Sequence, residues 1–131
     1  MNIKAVSEKT GLSPDTIRYY EKISLLPPIA RNKAGVRVFS EQDVSAIEFV
    51  RCFRATGMSI EQLSAYMTLV QAGDETMAER LAILRSEQAR LEASKAVIEE
   101  SLQRLEEKIT HYEQLNSTEY EAFSHEKTDT D

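Results

Sequence analysis

From Asp74 to Glu113 the chain contains neither proline nor glycine, and its apolar residues recur in heptads. With Leu81 at position a and Leu84 at position d, the a residues are Leu81, Gln88, Lys95, Leu102 and Ile109, and the d residues are Leu84, Leu91, Ile98, Leu105 and Tyr112. Eight of these ten are apolar. A repeat sustained over that length predicts one long helix with a narrow apolar stripe, the seam of a coiled coil. At 1.5 Å per residue, the roughly 37 residues from Met77 span about 55 Å. The remainder of a 131-residue chain builds a core too small to cover such a stripe. The stripe therefore asks for a partner helix, most simply from a second copy of the chain. The alternative is an amphipathic helix folded back on its own domain. The polar a residues Gln88 and Lys95 then set register and orientation at some cost in stability.

The residues before this run read as short, sharply capped elements. Ile3 to Thr10 is a helix that Gly11 stops, and Ser13 caps a second helix with Pro14 at its first position. On a helical wheel Ile17, Tyr20 and Ile23 gather on one side, while Asp15, Arg18, Tyr19 and Lys22 lie opposite, so one face packs and the other is free for contact. Pro27-Pro28 is expected to end this helix. The β-prone runs around Ile29 to Arg31 and Val36 to Phe39, joined by Asn32 to Gly35, predict a small hairpin, or wing. Ser40 with Asp43 opens a third helix, with Val44, Ile47, Val50 and Phe53 at core spacing, and Gly57 stops it. Ser59 with Gln62 opens a fourth as a capping box, with Leu63, Met67 and Val70 as its inner face and Gly73 as its end.

Charge divides along the chain in the same way. Residues 1 to 40 carry seven Lys/Arg against three Asp/Glu, a net of +4, so the other 91 sum to −10 within the overall −6. A basic head on an acidic body suits a protein that presents one end to phosphate. Two short helices joined by a glycine-containing turn, the second exposing cations and a phenol, match a helix-turn-helix, and Arg31, Lys33 and Arg37 cluster on the wing where they could reach the neighbouring backbone. The fold expected is mainly α: a winged helix-turn-helix head over 1–72, a coiled-coil dimerisation helix over 74–113 and a polar, acidic, flexible tail over 114–131.

The segments GLSPDTIRYYEKISLLPP and ARNKAGVRVFSEQDV resemble the N-terminal signature of the MerR family of bacterial transcription regulators over about the first 70 residues. The resemblance implies an antiparallel dimerisation coiled coil, a second helix in the major groove and a wing on the flanking backbone. It carries DNA contact onto Thr16, Arg18, Tyr19 and Tyr20, and onto Arg31, Lys33, Gly35 and Arg37. The wheel, by contrast, places Tyr20 on the packing face, where it would brace the wing. Also implied are a pseudo-palindromic promoter operator on double-stranded DNA, a homodimer, and activation by DNA distortion that engages RNA polymerase indirectly.

The sensor chemistries of other members, cysteines near the coiled-coil end, an iron–sulfur cluster or a large ligand domain, have no counterpart here. Cys52 is the one cysteine, and His111 and His125 are too scattered for a site, so neither metal nor cofactor is expected. In EFVRCFRATG the placement of Cys52 resembles the aldehyde- and nitrosative-stress branch, of AdhR and NmlR type, which implies an electrophile sensor. Flanking Arg51 and Arg54 suit a thiolate, whereas the C-terminal half of a helix, and burial, do not; on chemistry alone a packed, inert thiol is the competing expectation. Nothing resembles a phosphate loop, a nucleophile elbow or an acid/base pair, so no enzyme and no catalytic residue is expected. Without a secretory or membrane-spanning segment the expected location is the cytoplasm, with no membrane partner. The remaining alternative is a coiled-coil adaptor whose basic head binds protein and reads no DNA sequence.

Overall fold

The computed structural model describes residues 1–125, with side chains described through 117. Its elements run α1 (Ile3–Thr10), α2 (Pro14–Lys22), β1 (Ala30–Arg31), β2 (Arg37–Val38), α3 (Glu41–Ala55), α4 (Ile60–Ala72), a 3-10 turn (Asp74–Thr76) and α5 (Met77–His125). Two units result, Met1–Gln88 and Ala89–Asp131.

Short helices in the first unit exist because their ends are satisfied by side chains. Asn2, Ser13, Ser40 and Ser59 each accept a hydrogen bond from the backbone three residues on, which removes one orphan donor per helix. Ser40 and Asp43 form a reciprocal capping box, with bonds of 3.0 and 2.9 Å. At the start of α4 the observed cap is the single bond from Gln62 N to Ser59 Oγ, 3.1 Å.

The end of α2 departs from expectation. The helix stops at Lys22, before Pro27-Pro28, because Ser24 adopts φ +64°. Leu25 N donates to Tyr20 O at 2.9 Å and Ser24 N to Glu21 O at 3.1 Å. That pair of bonds is a Schellman stop, built here on a serine. The same pattern ends α3, where Gly57 holds the left-handed position and Met58 N reaches Phe53 O. In both stops the next residue, Leu25 or Met58, is driven into the core.

Val6, Ile17, Leu25, Ile47, Val50 and Leu63 are fully buried and form one core shared by α1 to α4. Val70, expected on the inner face of α4, is instead 38% exposed. Ile83, at the start of α5, packs on this core, and Glu87 one turn later is buried. The elbow between α4 and α5 is polar. Arg80 donates to the carbonyls of Gly73, at 2.5 Å, and of Leu69 and Val70, at 3.5 Å, while its Nε donates to Thr76 Oγ1 at 2.8 Å. Thr76 Oγ1 is itself 2.7 Å from Leu69 O.

In the second unit α5 continues well past residue 113. The flexible tail expected from 114 is helical through His125, since polar residues alone do not stop a helix and 114–125 contain no proline or glycine. The rest of that expected tail, 126–131, lies outside the described residues.

Candidate nucleic-acid interface

The neighbours of α2 determine which of its side chains stay exposed on its outer face. Pro14 fixes the first turn, and Ser13 Oγ both caps Thr16 N and lies 2.9 Å from Thr16 Oγ1, so Thr16 sits at the mouth of the helix. The turn in front of it is braced: Ser7 Oγ donates to Leu12 O at 2.6 Å, and Thr10 Oγ1 donates to Val6 O at 2.8 Å. Ile17 is fully buried, and Tyr20 and Ile23 are half-buried against the core. Asp15, Arg18, Tyr19 and Lys22 are exposed, Tyr19 to 50%. Arg18 Nη1 meets Asp15 Oδ1 at 2.9 Å across one turn, an exposed pair worth little in stability.

The wing follows directly. Strands β1 and β2 pair antiparallel with Ala30 opposite Val38 and Arg31 opposite Arg37. Its tip is shaped by Asn32, whose Oδ1 accepts from Ala34 N and Val36 N at 2.9 and 3.0 Å, and by Gly35 at φ +79°, a conformation in which a Cβ would be strained. Lys33 projects from this tip, exposed. Arg31 Nη1 donates to Gly35 O at 3.2 Å.

One residue that the sequence reading did not single out links the two parts. Glu21, on α2, accepts a 2.7 Å hydrogen bond from Arg37 Nε, and its same oxygen lies 3.8 Å from Arg31 Nη2. Arg37 is consequently less free than expected of a phosphate contact: its side chain is 23% exposed, against 46% for Arg31. The available clue was an acid in a basic segment followed by two arginines that hairpin pairing sets face to face.

Cys52, on α3, is a free and exposed thiol, which removes the packed-cysteine expectation for the single chain. Its neighbour Arg54 is engaged, donating to Met58 O at 2.7 Å, while Arg51 is exposed. Of the proposed seam, Leu84 and Leu91 are half-buried, whereas Leu81 and, further along, Ile98, Leu102, Leu105, Ile109 and Tyr112 are exposed, the last five at 56 to 61%. Lys95 pairs at 3.9 Å with Glu99, and Glu100 at 3.2 Å with Arg104. Among the described residues no three His, Cys, Asp or Glu side chains gather as a metal would require, and no helix is long and apolar enough to cross a membrane.

Residues 1–69 match the family of MerR HTH regulatory proteins. The HTH-type transcriptional regulator AdhR of Bacillus subtilis is 45% identical over 91 residues, which cover 70% of this chain and 65% of that regulator's own length. A structure described as a MerR-family transcriptional regulator from Listeria monocytogenes superposes with a TM-score of 0.89 at 42% identity, covering 97% of this chain and 98% of that one. HiNmlR, a MerR-family regulator lacking the sensor domain and solved bound to promoter DNA, superposes with a TM-score of 0.81 at 28% identity over 88% of this chain and 92% of its own. These relatives are named as regulators of transcription, not as enzymes.

Proposed function

The chain belongs to the MerR family of helix-turn-helix regulatory proteins, and from that premise we propose that it is a homodimeric regulator that reads promoter DNA. The observation that carries this reading is the outer face of α2, with Arg18 and Tyr19 exposed and Thr16 half-buried at its mouth, standing beside a wing that offers Arg31, Lys33 and Gly35. A short helix with exposed polar side chains enters the major groove, and wing cations grip phosphates that flank it. Arg37, partly covered, ties the wing to α2 through Glu21, and half-buried Tyr20 packs on the core beneath the helix; both also border the DNA in this reading. The likeness to HiNmlR, itself bound to promoter DNA, supports the same mode here.

The head spans 1–72 in this reading, and the stripe of Leu81, Leu84, Leu91, Ile98, Leu102, Leu105, Ile109 and Tyr112 seals two chains into an antiparallel pair. Two heads on one rigid pair read two half-sites, and a change in their relative setting distorts the promoter so that RNA polymerase engages it. The trigger is a reactive aldehyde or related electrophile that adds to Cys52, whose exposed sulfur on α3 is open to reagent.

A duplex recovered by selection from a random pool tests the first part. The logarithm of affinity should fall with the logarithm of salt at a slope of about −4 or steeper, and Arg18→Ala should cost about 1–3 kcal/mol with relaxed specificity. A flat salt response would return the protein to the adaptor reading. For the trigger, Cys52→Ser should bind the same duplex as wild type and lose aldehyde-dependent transcription; a full response from that variant would make the thiol a bystander.

A further inference from the structure

The geometry points to Glu21 as the residue that positions the wing for DNA, so that removing this negative charge weakens DNA binding instead of strengthening it. The inference rests on the DNA-reading function proposed above. Its physical basis lies in the register of the wing. Arg31 and Arg37 stand directly opposite each other on an antiparallel pair only two residues long. Like charges in that relation destabilise a ladder, and although buried Ile29 and Phe39 hold the base of the hairpin and Asn32 its tip, none of these neutralises the two guanidinium groups between them. Glu21 supplies the missing anion from a different element: Oε1 takes Arg37 Nε at 2.7 Å and lies 3.8 Å from Arg31 Nη2, with the carboxylate side chain only 18% exposed. A charge-assisted bond in a partly desolvated setting is stronger and more directional than a surface pair.

Because Glu21 is one turn on from Ile17, whose side chain is fully buried, the clamp ties the wing to the part of α2 that the core holds most firmly. The outer face of α2 and the exposed N–H groups of Arg31 are thereby kept in one frame. An acid this near a phosphate-binding surface is unfavourable by charge alone. On this inference, the wing geometry that Glu21 fixes outweighs that repulsion.

Two variants of the full chain separate geometry from charge. Glu21→Gln removes the charge at constant shape, and Glu21→Asp keeps the charge but withdraws it by one methylene. Binding is measured on the duplex selected by wild type, with hydroxyl-radical footprinting and circular dichroism as a check on folding. Both variants should bind about tenfold more weakly. Both should also lose protection at the flanks gripped by the wing and keep protection at the centre contacted by α2, a split that general loss of stability would not produce. Wild-type or tighter binding by Glu21→Gln, with flanking protection intact, overturns the inference. So does Glu21→Asp behaving as wild type. The Arg37 Nε–Hε resonance gives a readout that needs no DNA: it should be slow to exchange in wild type and lost in Glu21→Gln. If wild type itself shows no salt-dependent DNA binding, the regulatory reading fails and the role of Glu21 on DNA falls with it, while persistence or loss of that resonance still decides whether the clamp exists.

Discussion

The two units of the chain solve the problem of stability in opposite ways. In Met1–Gln88, four short helices are each closed by side-chain caps, large apolar residues such as Ile17, Ile47 and Leu63 lose all contact with water, and every buried side-chain polar atom described has a partner. In the described part of Ala89–Asp131 there is one helix, with Ile98, Leu102, Leu105, Ile109 and Tyr112 all more than half exposed. The ion pairs of Lys95 with Glu99 and of Arg104 with Glu100 on this helix are solvated and weak. The contrast teaches that the first unit contains its own reason to fold, whereas the exposed apolar residues of the second gain a stabilising role only if the association proposed above covers them.

The sharpest way to break that comparison is to charge the stripe. Leu102→Lys with Leu105→Lys should abolish the dimer, because two cations per chain would be buried unpaired across the seam. Sedimentation equilibrium at micromolar concentration reads the outcome. Were the helix solitary, exchanging two residues about 60% exposed would leave stability within about 0.5 kcal/mol per site and mass unchanged. A smaller effect belongs to the head: Ile47→Ala should cost about 2–5 kcal/mol from a cavity in the shared core. Urea unfolding should give that same loss at high and low protein concentration, whereas the stripe variants change how stability depends on concentration. The smallest effect has the opposite sign. Ser24→Gly should stabilise the head by about 0.5 kcal/mol, since glycine occupies φ +64° without the strain of a Cβ, less its greater entropy when unfolded. A loss in thermal melts would mean that the serine side chain contributes more than its conformation costs.

Most of the head was readable because its signals are local. Ser13-Pro14, Gly11, Ser40 with Asp43, and Gly57 declare helix ends within four residues, and the wheel of α2 separates Ile17 from Arg18 without knowledge of the fold. What escaped depends on space or on rarity. Glu21 and Arg37 are sixteen residues apart, and only hairpin register brings Arg31 and Arg37 to one carboxylate. Ser24 takes a conformation that a serine seldom adopts, so the prolines further on looked like the stop. Ile83 and Glu87 lie off the heptad seam, and a reading tuned to that seam passes over the packing of Ile83 on the core and the burial of Glu87. The end of α5 escaped for a plainer reason: polarity after 113 suggested a tail, although no residue there interrupts a helix.

The elbow at Gly73 to Arg80 has an implication for how such chains diversify. Arg80 and Thr76 finish α4 by taking up its last carbonyls, a task otherwise left to another helical turn or to water. All of these bonds lie between Leu69 and Arg80. In chains built on this plan, sequence beyond Gln88 can change in length and chemistry while Thr76 and Arg80 still finish α4 and Ile83 keeps its place on the core.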